Sequence, residues 1–351
     1  MLFIGSICAI IAGSYLYRNV RESWPIALIN MYWNIKYTYL AGKETVIDWI
    51  NAKYNKNECT AQTGRVAIVT GGSRGIGLEV VKMLLELDME VIIACRTPSA
   101  GEDAILRIRE SGIKTGKPKV YCLDNASLKS VKEFATEIKK NYKEIHVLIN
   151  NAGIMFGPYE ETVDGFEHQW AVNYLSHFLL TFLLLPLLKV GGQPHQSSRI
   201  VNVSSCAQIL GTSNFNEINT KSKYIAAHAY AQSKLAQVLF TKRLQSLLTE
   251  KQYPVQVYSV HPGIVHTDLF IQSYISKIIA LLKFFIKTPK QGATAIVYAA
   301  VNKEAENCGG TYISNCLPCD VHPVAVDLNV QKTLFDLSAK QAQISDLFQC
   351  I

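Results

Sequence analysis

The feature that most constrains the fold of this chain is a short apolar run, then a glycine-rich turn, then a helical pattern. Residues 66–70 read Val-Ala-Ile-Val-Thr, which is continuously apolar and β-branched and predicts a buried strand. Residues 71–77 follow as Gly-Gly-Ser-Arg-Gly-Ile-Gly, and residues 78–85 have helical apolar spacing. Glycines in such a turn let the backbone approach a pyrophosphate at the positive end of the helix. The pattern predicts a dinucleotide-binding α/β domain, a doubly wound parallel sheet (Rossmann fold); the alternative is an ordinary connecting loop.

The choice of dinucleotide is indicated by the end of the next predicted strand. Residues 91–94 read Val-Ile-Ile-Ala and are followed by Cys95 and Arg96. A carboxylate at this place holds the ribose 2′-hydroxyl of NAD, whereas an arginine accommodates a 2′-phosphate. Arg74, within the glycine turn, is a second guanidinium for the same phosphate. Two arginines and no acid predict NADP(H), with NAD(H) as the alternative if both arginines simply face solvent.

A tyrosine and a lysine, Tyr230 and Lys234, are spaced four residues apart in Ala-Tyr-Ala-Gln-Ser-Lys. In a helix this spacing places both side chains on one face. A nearby ammonium favours the phenolate, so we expect Lys234 to lower the tyrosine pKa from its ordinary ~10. The tyrosine would then exchange a proton in alcohol–carbonyl chemistry. Alone, this spacing also occurs on solvated helix faces.

These motifs together resemble the short-chain dehydrogenase/reductase superfamily over roughly residues 62–330. Six segments stand in family order: the turn at residues 70–77, Asn-Asn-Ala-Gly at 150–153, Asn173, Ser205, the Tyr230/Lys234 pair, and Pro-Gly-Ile-Val-His-Thr at 262–267.

The resemblance implies a role for each matching residue. Tyr230 would transfer a proton to or from the substrate oxygen, and Lys234 would lower its pKa and hold the nicotinamide ribose. Ser205 would hydrogen-bond the carbonyl oxygen, with the neighbouring Ser204 as a competitor of poorer spacing. Asn173 would anchor a water that relays the proton through Lys234. The implied cofactor-binding set is Gly71, Ser73, Arg74, Gly75, Ile76, Gly77, Arg96, Asp124, Asn151, Tyr230, Lys234, Pro262, Val265 and Thr267.

Residues near these motifs carry weaker signals. Asp124 matches an acid that meets adenine, but Asn125 follows it where the family has leucine. His261 precedes the loop at 262–267 and is expected to be a structural hydrogen-bonder. Cys316 and Cys319 form a single C-x-x-C without further ligands at zinc spacing, so we expect two unpaired thiols and no metal. The nine scattered cysteines suit a reducing compartment.

The first 60 residues lie outside the resemblance and predict a membrane anchor. Residues 2–17 are an uncharged apolar run ended by Arg18 and Arg21, near the lower limit of the ~17 to 25 residues that a spanning helix needs. Without a basic segment before the run, an uncleaved anchor is favoured over a signal peptide. The arginines predict a cytosolic catalytic domain. Residues 24–39, rich in Trp and Tyr, suit the membrane interface. We therefore predict an anchor and interfacial segment at 1–60, a single catalytic domain at 61–335 and a tail at 336–351.

Two further apolar stretches are interpreted differently. Residues 269–287 stand where the family has a variable lid, and we expect a helix in the membrane interface with Lys277, Lys283 and Lys287 at the headgroups. The alternative is an ordinary buried helix. Residues 178–188 stand where the family has a central helix packed on the sheet, so we do not expect them to span a membrane.

Net charge and local sequence indicate the partners. A net charge of +7 fits an anionic membrane surface and NADPH, but there is no clustered basic stripe of the kind that binds nucleic acid. The resemblance is nearest to the membrane-associated, retinol-dehydrogenase-like branch, on residues 166–167, 173–181, 229–241 and 287–289. Family members commonly pair through the helices that carry Asn173 and Tyr230, so a homodimer is an alternative to a membrane-held monomer.

That branch implies an oxidoreductase for lipophilic alcohols and aldehydes on the endoplasmic reticulum or lipid droplets. Polyprenol- and dolichol-type isoprenoids are expected before retinoids and steroids. Two other functions stay open: a general carbonyl reductase of small soluble substrates, and a non-catalytic lipid-surface scaffold. The scaffold is disfavoured because Tyr230 and Lys234 are both present.

Overall fold

The computed structural model describes residues 24–267 and 286–344, which are built around an eight-stranded sheet of order β3-β2-β1-β4-β5-β6-β7-β8. The strands are β1 Val66–Thr70, β2 Glu90–Cys95, β3 Lys117–Cys122, β4 Val147–Asn150, β5 Ser198–Val203, β6 Val255–His261, β7 Tyr312–Ser314 and β8 Leu317–Pro318. All neighbouring pairs are parallel except β7 with β8. The strand order reverses between β1 and β4, and ligands of such sheets bind at the carboxyl ends beside this point.

The described helices cover both faces of the sheet. They are α1 Trp24–Ile50, α2 Gly75–Glu86, α3 Pro98–Glu110, α4 Leu128–Asn141, α5 His168–Trp170, α6 Ser176–Gly191, α7 Ala226–Glu250, α8 Pro289–Val301 and α9 Leu328–Gln341. A five-residue π-helical turn, Ala171–Leu175, joins α5 to α6.

The strands read as continuous apolar runs because each strand buries both of its faces. Ile68 and Ile92 face the layer that contains α4, α6, α7 and α9. Val69 and Ile93, one position along, face the layer of α2, α3 and α8. All four side chains are fully buried. The predicted doubly wound α/β fold is confirmed.

One helical stretch within the described ranges, His168–Gly191, has the length and apolar character of a membrane span. In its most apolar window, 83 % of the residues are buried inside the domain, and Phe178 and Leu185 belong to the core between sheet and helices. This stretch therefore packs on the sheet, as expected for residues 178–188.

Helix α1 contains the predicted interfacial stretch at 24–39, and it packs against the catalytic domain. Tyr37 and Leu40 are buried and share an apolar cluster with Tyr230. Large apolar side chains on other sides of the helix are exposed, among them Tyr39 and Trp49. The predicted anchor at 2–17 lies outside the described residues. The division of the chain into three parts at residues 60 and 335 stays a prediction. In the structure, α1 packs on the domain and α9 continues past residue 335 to Gln341.

The predicted lid at 269–287 also lies outside the described residues, except for its last two. Ile286 is buried in the cluster around Tyr230. Lys287 is buried too, and its Nζ lies 2.9 Å from Oδ1 of Asp48 on α1. The prediction that Lys287 lies at the headgroups is therefore wrong, because a carboxylate inside the protein holds its ammonium group.

Candidate active site

The glycine turn brings the start of α2 against the end of β1. Gly71 has a φ of +66°, in the left-handed region that glycine adopts without strain. A Cβ at Gly77 would overlap the carbonyl oxygen of Gly71, so only glycine permits this close packing. Because of this close packing, the first turn of α2, which begins at Gly75, lies beside the carboxyl edge of the sheet. This is the geometry that suits a dinucleotide pyrophosphate, so the residues present fit the predicted cofactor.

Asn151 connects the turn to the next strand across the reversal of strand order. The Thr70 hydroxyl accepts the backbone N–H groups of Asn151 and Ala152, both at 2.9 Å. The Asn151 amide donates to the Thr70 carbonyl at 2.8 Å. On the far side, the Thr267 methyl group lies 3.8 Å from where a Cβ of Gly75 would stand. The structure thus brings the turn, Asn151 and the loop of Pro262, Val265 and Thr267 to one edge of the sheet.

Two arginines flank this edge with free guanidinium groups. Arg74 and Arg96 are exposed, and neither side chain has a hydrogen bond or ion pair among the described residues. A third guanidinium, which sequence analysis missed, belongs to Arg107 on α3 and donates to the Ser73 carbonyl at 3.4 Å. Its place near the glycine turn depends on the packing of α3 beside that turn, which the sequence does not show.

The remaining predicted nucleotide residues lie close by in different surroundings. Asp124 follows β3 and is half-buried; its Oδ1 accepts the N–H of Ala126 at 3.0 Å. Ile76 is half-buried and packs against the core behind α2. The structure places both at the carboxyl edge of the sheet, Asp124 at the end nearest β3.

Tyr230 and Ser205 meet beside a buried apolar cluster. Tyr230, on α7, is 5 % exposed, and Ser205 gives its phenol a hydrogen bond partner. Ser205 begins a 3₁₀ turn, and its Oγ also accepts the N–H of Ala207 at 3.2 Å. Ser204, by contrast, is buried and donates to the carbonyl of Lys234 at 2.8 Å. Of the two serines, Ser205 is therefore the one that faces the tyrosine.

Lys234 is buried beside the tyrosine but directs its ammonium group elsewhere. Its Nζ donates to the Val203 carbonyl at 2.8 Å and lies 5.6 Å from the centre of the Tyr230 ring. Burial lowers the pKa of Lys234 to about 7. Burial also raises the pKa of Tyr230 above its ordinary value, and the Ser205 hydrogen bond offsets only part of that rise. The predicted lowering of the tyrosine pKa by Lys234 is wrong for this structure, because burial dominates the pKa of Tyr230 and the Lys234 ammonium group is directed to the Val203 carbonyl.

Asn173 is fixed in the π-helical turn by both ends of its amide. Oδ1 accepts the N–H of Ile154 at 2.8 Å, and Nδ2 donates to the Ser233 hydroxyl at 3.0 Å. Its backbone carbonyl accepts from Nε2 of Gln237 at 2.8 Å. Oε1 of Gln237 in turn accepts from Nζ of Lys234 at 3.2 Å. A glutamine side chain therefore joins Lys234 to Asn173, and its position three residues after Lys234 on one helix was the signal for it. The relay water at Asn173 stays a prediction.

Aromatic side chains cover Tyr230 from the side of α1. The Tyr37 ring meets Phe156 edge-on at 4.9 Å, and Phe156 meets Tyr230 edge-on at 5.7 Å. The Tyr37 hydroxyl is fixed by donating to the Ala227 carbonyl at 2.8 Å. Leu40 and Met155 belong to the same buried cluster. No motif in the sequence indicates Tyr37, because α1 lies far from every motif in the chain.

His261 is buried at the end of β6, and burial lowers its pKa to about 4, so the ring is neutral. Neither ring nitrogen has a hydrogen-bond partner among the described residues, which leaves the expected hydrogen-bonding role without support; Glu44 lies 3.9 Å away. Cys316 and Cys319 are free thiols. Within residues 24–267 and 286–344, no group of three or more possible metal ligands is formed.

Comparison with known proteins agrees with this geometry. Residues 65–276 match the short chain dehydrogenase family. Human polyprenol dehydrogenase is 40 % identical over 288 residues, which cover 81 % of this chain and 86 % of that protein. Mouse retinol dehydrogenase 11 is 44 % identical over 264 residues, which cover 74 % of this chain and 81 % of that protein.

A similar solved structure supports the same fold. The crystal structure of an uncharacterised protein from Mycobacterium paratuberculosis superposes with a TM-score of 0.66 at 32 % identity, covering 82 % of this chain and 96 % of that one. The chain belongs to the short-chain dehydrogenase family and is an NAD(P)-dependent oxidoreductase.

Proposed function

We propose that this protein is an NADP(H)-dependent oxidoreductase that interconverts a long-chain isoprenoid alcohol of the polyprenol or dolichol type and its aldehyde at a membrane surface. The observation that carries the proposal is the position of the Tyr230 hydroxyl. It lies against Ser205 beside an apolar, aromatic cluster that contains Tyr37, Phe156 and Leu40.

The side chains of the pocket supply proton transfer and charge stabilisation. Tyr230 gives a proton to the substrate oxygen in reduction and takes it back in oxidation. Ser205 donates a hydrogen bond to the same oxygen as negative charge develops there. Lys234, Gln237 and Asn173 form a hydrogen-bonded row behind the tyrosine. The nicotinamide, when bound, supplies or accepts the hydride.

The preference for NADP(H) over NAD(H) is supported by Arg74 and Arg96. Both guanidinium groups are exposed beside the carboxyl ends of β1 and β2 and are free of intraprotein partners among the described residues. Guanidinium binds phosphate oxygens through paired hydrogen bonds, so both are available for a 2′-phosphate. We propose that Gly71, Ser73, Gly75, Ile76, Gly77, Asp124, Asn151, Pro262, Val265 and Thr267 complete the nucleotide site.

A lipophilic substrate is supported by the apolar cluster around Tyr230 and by the names of the relatives. Both polyprenol dehydrogenase and retinol dehydrogenase 11 are named for lipophilic alcohols. A retinoid is the second candidate, favoured by the 44 % identity to retinol dehydrogenase 11. Between them we favour the isoprenoid, since the polyprenol dehydrogenase matches extend over 81 % and 86 % of this chain.

Location at a membrane is supported by the outward side of α1. Nζ of Lys36 lies 4.4 Å from the ring centre of Tyr32, and tyrosine is enriched where a membrane meets water. The exposed apolar side chains of this helix are Leu28, Ile29, Tyr32, Ile35, Tyr39, Val46, Trp49 and Ile50. We propose the endoplasmic reticulum or lipid droplets as the site, with the catalytic domain on the cytosolic side; pairing of two copies stays a prediction.

The test of the substrate is turnover by purified, detergent-solubilised protein. Dolichal, retinal, a ketosteroid and a short aldehyde are each offered with NADPH and with NADH. Highest kcat/KM for dolichal with NADPH is expected. Highest kcat/KM for retinal would transfer the assignment to retinoids. Equal rates on the short aldehyde would indicate a general carbonyl reductase, and no turnover of any substrate would indicate a non-catalytic role.

The test of the location is flotation with vesicles that contain anionic lipid. Deletion of residues 1–22 is expected to weaken recovery with the vesicles, and the double substitution Tyr39→Ser/Trp49→Ser is expected to weaken it further. Full recovery of both variants would refute the proposed membrane contact of these segments.

A further inference from the structure

Asp48, near the end of α1, contacts the loop that follows β6. Its Oδ2 accepts the backbone N–H of Ile264 at 3.0 Å. Its Oδ1 lies 2.9 Å from Nζ of Lys287 and 3.0 Å from Nδ2 of Asn315. The carboxylate is 5 % exposed, so both of its oxygens are committed inside the protein.

Lys287 holds the same loop from the other side. Its Nζ donates to the carbonyl of Pro262 at 3.3 Å. Its backbone N–H donates to the carbonyl of Ile264 at 2.9 Å, and its carbonyl accepts the N–H of His266 at 3.0 Å. Asp48 and Lys287 therefore form an ion pair with each other and together contact the backbone of the loop at Pro262, Ile264 and His266.

Gly263, at the tip of the loop, shows how close the contact is. Its φ is +92°, and a Cβ there would lie 2.6 Å from both Oδ2 of Asp48 and Nζ of Lys287. The backbone of the loop rests directly on the ion pair. Any displacement of the carboxylate or the ammonium group thus changes the path of the backbone between Pro262 and Val265.

We propose that Asp48 is a positioning residue for the nicotinamide: through Lys287 and the Ile264 N–H, it sets the conformation of the loop at residues 262–267 against which the cofactor binds. The inference rests on the proposed oxidoreductase function. It makes α1, which lies outside the matched residues 65–276, a working part of the cofactor site. Removing one member of a buried ion pair leaves the other charge uncompensated, so the loop has to rearrange.

The experiment measures the NADPH dissociation constant of the full-length protein by nucleotide fluorescence, together with kcat and the KM of each substrate. Asp48→Asn retains the shape and an acceptor for Ile264 but removes the charge. We expect the dissociation constant and the KM for NADPH to rise at least about tenfold, with the KM for the aldehyde changed far less.

A second ion pair, between the buried Arg199 and the half-buried Glu306, provides the control. Nη2 of Arg199 lies 2.6 Å from Oε2 of Glu306, close to the amino ends of β5 and β6 and away from the cofactor edge. Glu306→Gln makes the same chemical change and is expected to lower the Tm while leaving the NADPH dissociation constant unchanged. If Glu306→Gln weakens NADPH binding as much as Asp48→Asn does, the effect is general destabilisation and the proposal fails.

Lys287→Met and the double variant Asp48→Asn/Lys287→Met keep the proposal testable if Asp48→Asn folds poorly. Each single variant is expected to weaken NADPH binding. The double variant is expected to bind NADPH at least as tightly as either single variant, because it buries no unpaired charge. Purely additive losses, or unchanged NADPH binding in Asp48→Asn, would overturn the inference. Because the binding measurement needs no turnover, a wild-type protein inactive on every substrate would refute the proposed function while this comparison still decides the role of Asp48.

Discussion

Nζ of Lys234 donates a hydrogen bond to Oε1 of Gln237 at 3.2 Å, and Nε2 of the same glutamine donates to the Asn173 carbonyl at 2.8 Å. Gln237 is 1 % exposed, so this amide is a fixed part of the interior. Its amide holds the Lys234 ammonium group and the Asn173 carbonyl in a set geometry. We therefore expect Gln237 to orient the lysine behind Tyr230.

Substitution of Gln237 is expected to move the pH dependence of kcat. Burial lowers the pKa of Lys234 to about 7, and a rate that needs the ammonium form falls as the pH rises through that value. Gln237→Met removes a hydrogen-bond acceptor of the Lys234 ammonium form, so the pKa of Lys234 decreases further. The decrease in kcat is then expected to occur at a pH about one unit lower. Gln237→Glu adds a carboxylate, so it is expected to move the fall to higher pH.

The pH profiles of kcat for both variants check this prediction. Gln245→Met is the matched control, since Gln245 lies on the same helix but accepts from the Val257 N–H away from the pocket. Identical profiles for the wild type and both Gln237 variants would show that Lys234 is not the titrating group.

The hydroxyl of Tyr230 is expected to be essential for turnover. Tyr230→Phe keeps the ring and its edge-on contact with Phe156 but removes the transferable proton, so kcat should fall by roughly 10²- to 10⁴-fold with NADPH binding nearly intact. Tyr142→Phe removes a hydroxyl that donates to Glu90 at 2.6 Å outside the pocket, and it should leave kcat unchanged. Retained turnover in Tyr230→Phe would remove this residue from the mechanism.

The two arginines at the carboxyl edge are expected to determine the choice of nucleotide. Arg96→Asp replaces a group that binds phosphate with one that repels it, so the KM for NADPH should rise by roughly 10- to 100-fold while NADH use improves. Arg74→Gln should weaken NADPH use without improving NADH use. The measurement is kcat/KM for both nucleotides, and an unchanged NADPH/NADH ratio would contradict the assignment. Arg109→Gln is the control, because its guanidinium is held by the Gly116 carbonyl.

The sequence predicted the parts of the site that depend on local spacing. The strand, glycine turn and helix at residues 66–86 follow from three features within about twenty residues, and the structure has them as expected. Tyr230 and Lys234 share one helix, so their proximity required only helical periodicity. Ser205 stands in the family order of motifs, and its contact with Tyr230 agrees with that expectation.

The parts contributed by α1 could not be predicted, for a physical reason. Asp48 and Ile264 are 216 residues apart in the chain, and no periodicity or motif connects them. The aromatic and apolar composition of residues 24–39 indicated an interface, but it could not show which side chains face the protein. Tyr37 is buried and Tyr39 is 74 % exposed, although both lie on one helix. Burial of Lys287 likewise depends on a carboxylate that only the folded chain brings near.

The aromatic side chain that α1 places beside the site is expected to select for long apolar substrates. Tyr37→Ala removes the ring that packs on Phe156, so apolar contact beside Tyr230 is lost and water gains access. We expect kcat/KM for dolichal to fall about tenfold or more and that for a short aldehyde to change little, because a short substrate does not extend to Tyr37. Tyr37→Phe removes only the hydrogen bond to Ala227 and should retain most of the selectivity. Tyr54→Ala, at an exposed tyrosine, is the control for loss of an aromatic ring. Equal losses on dolichal and the short aldehyde in Tyr37→Ala would mean that Tyr37 supports Tyr230 itself rather than the substrate chain.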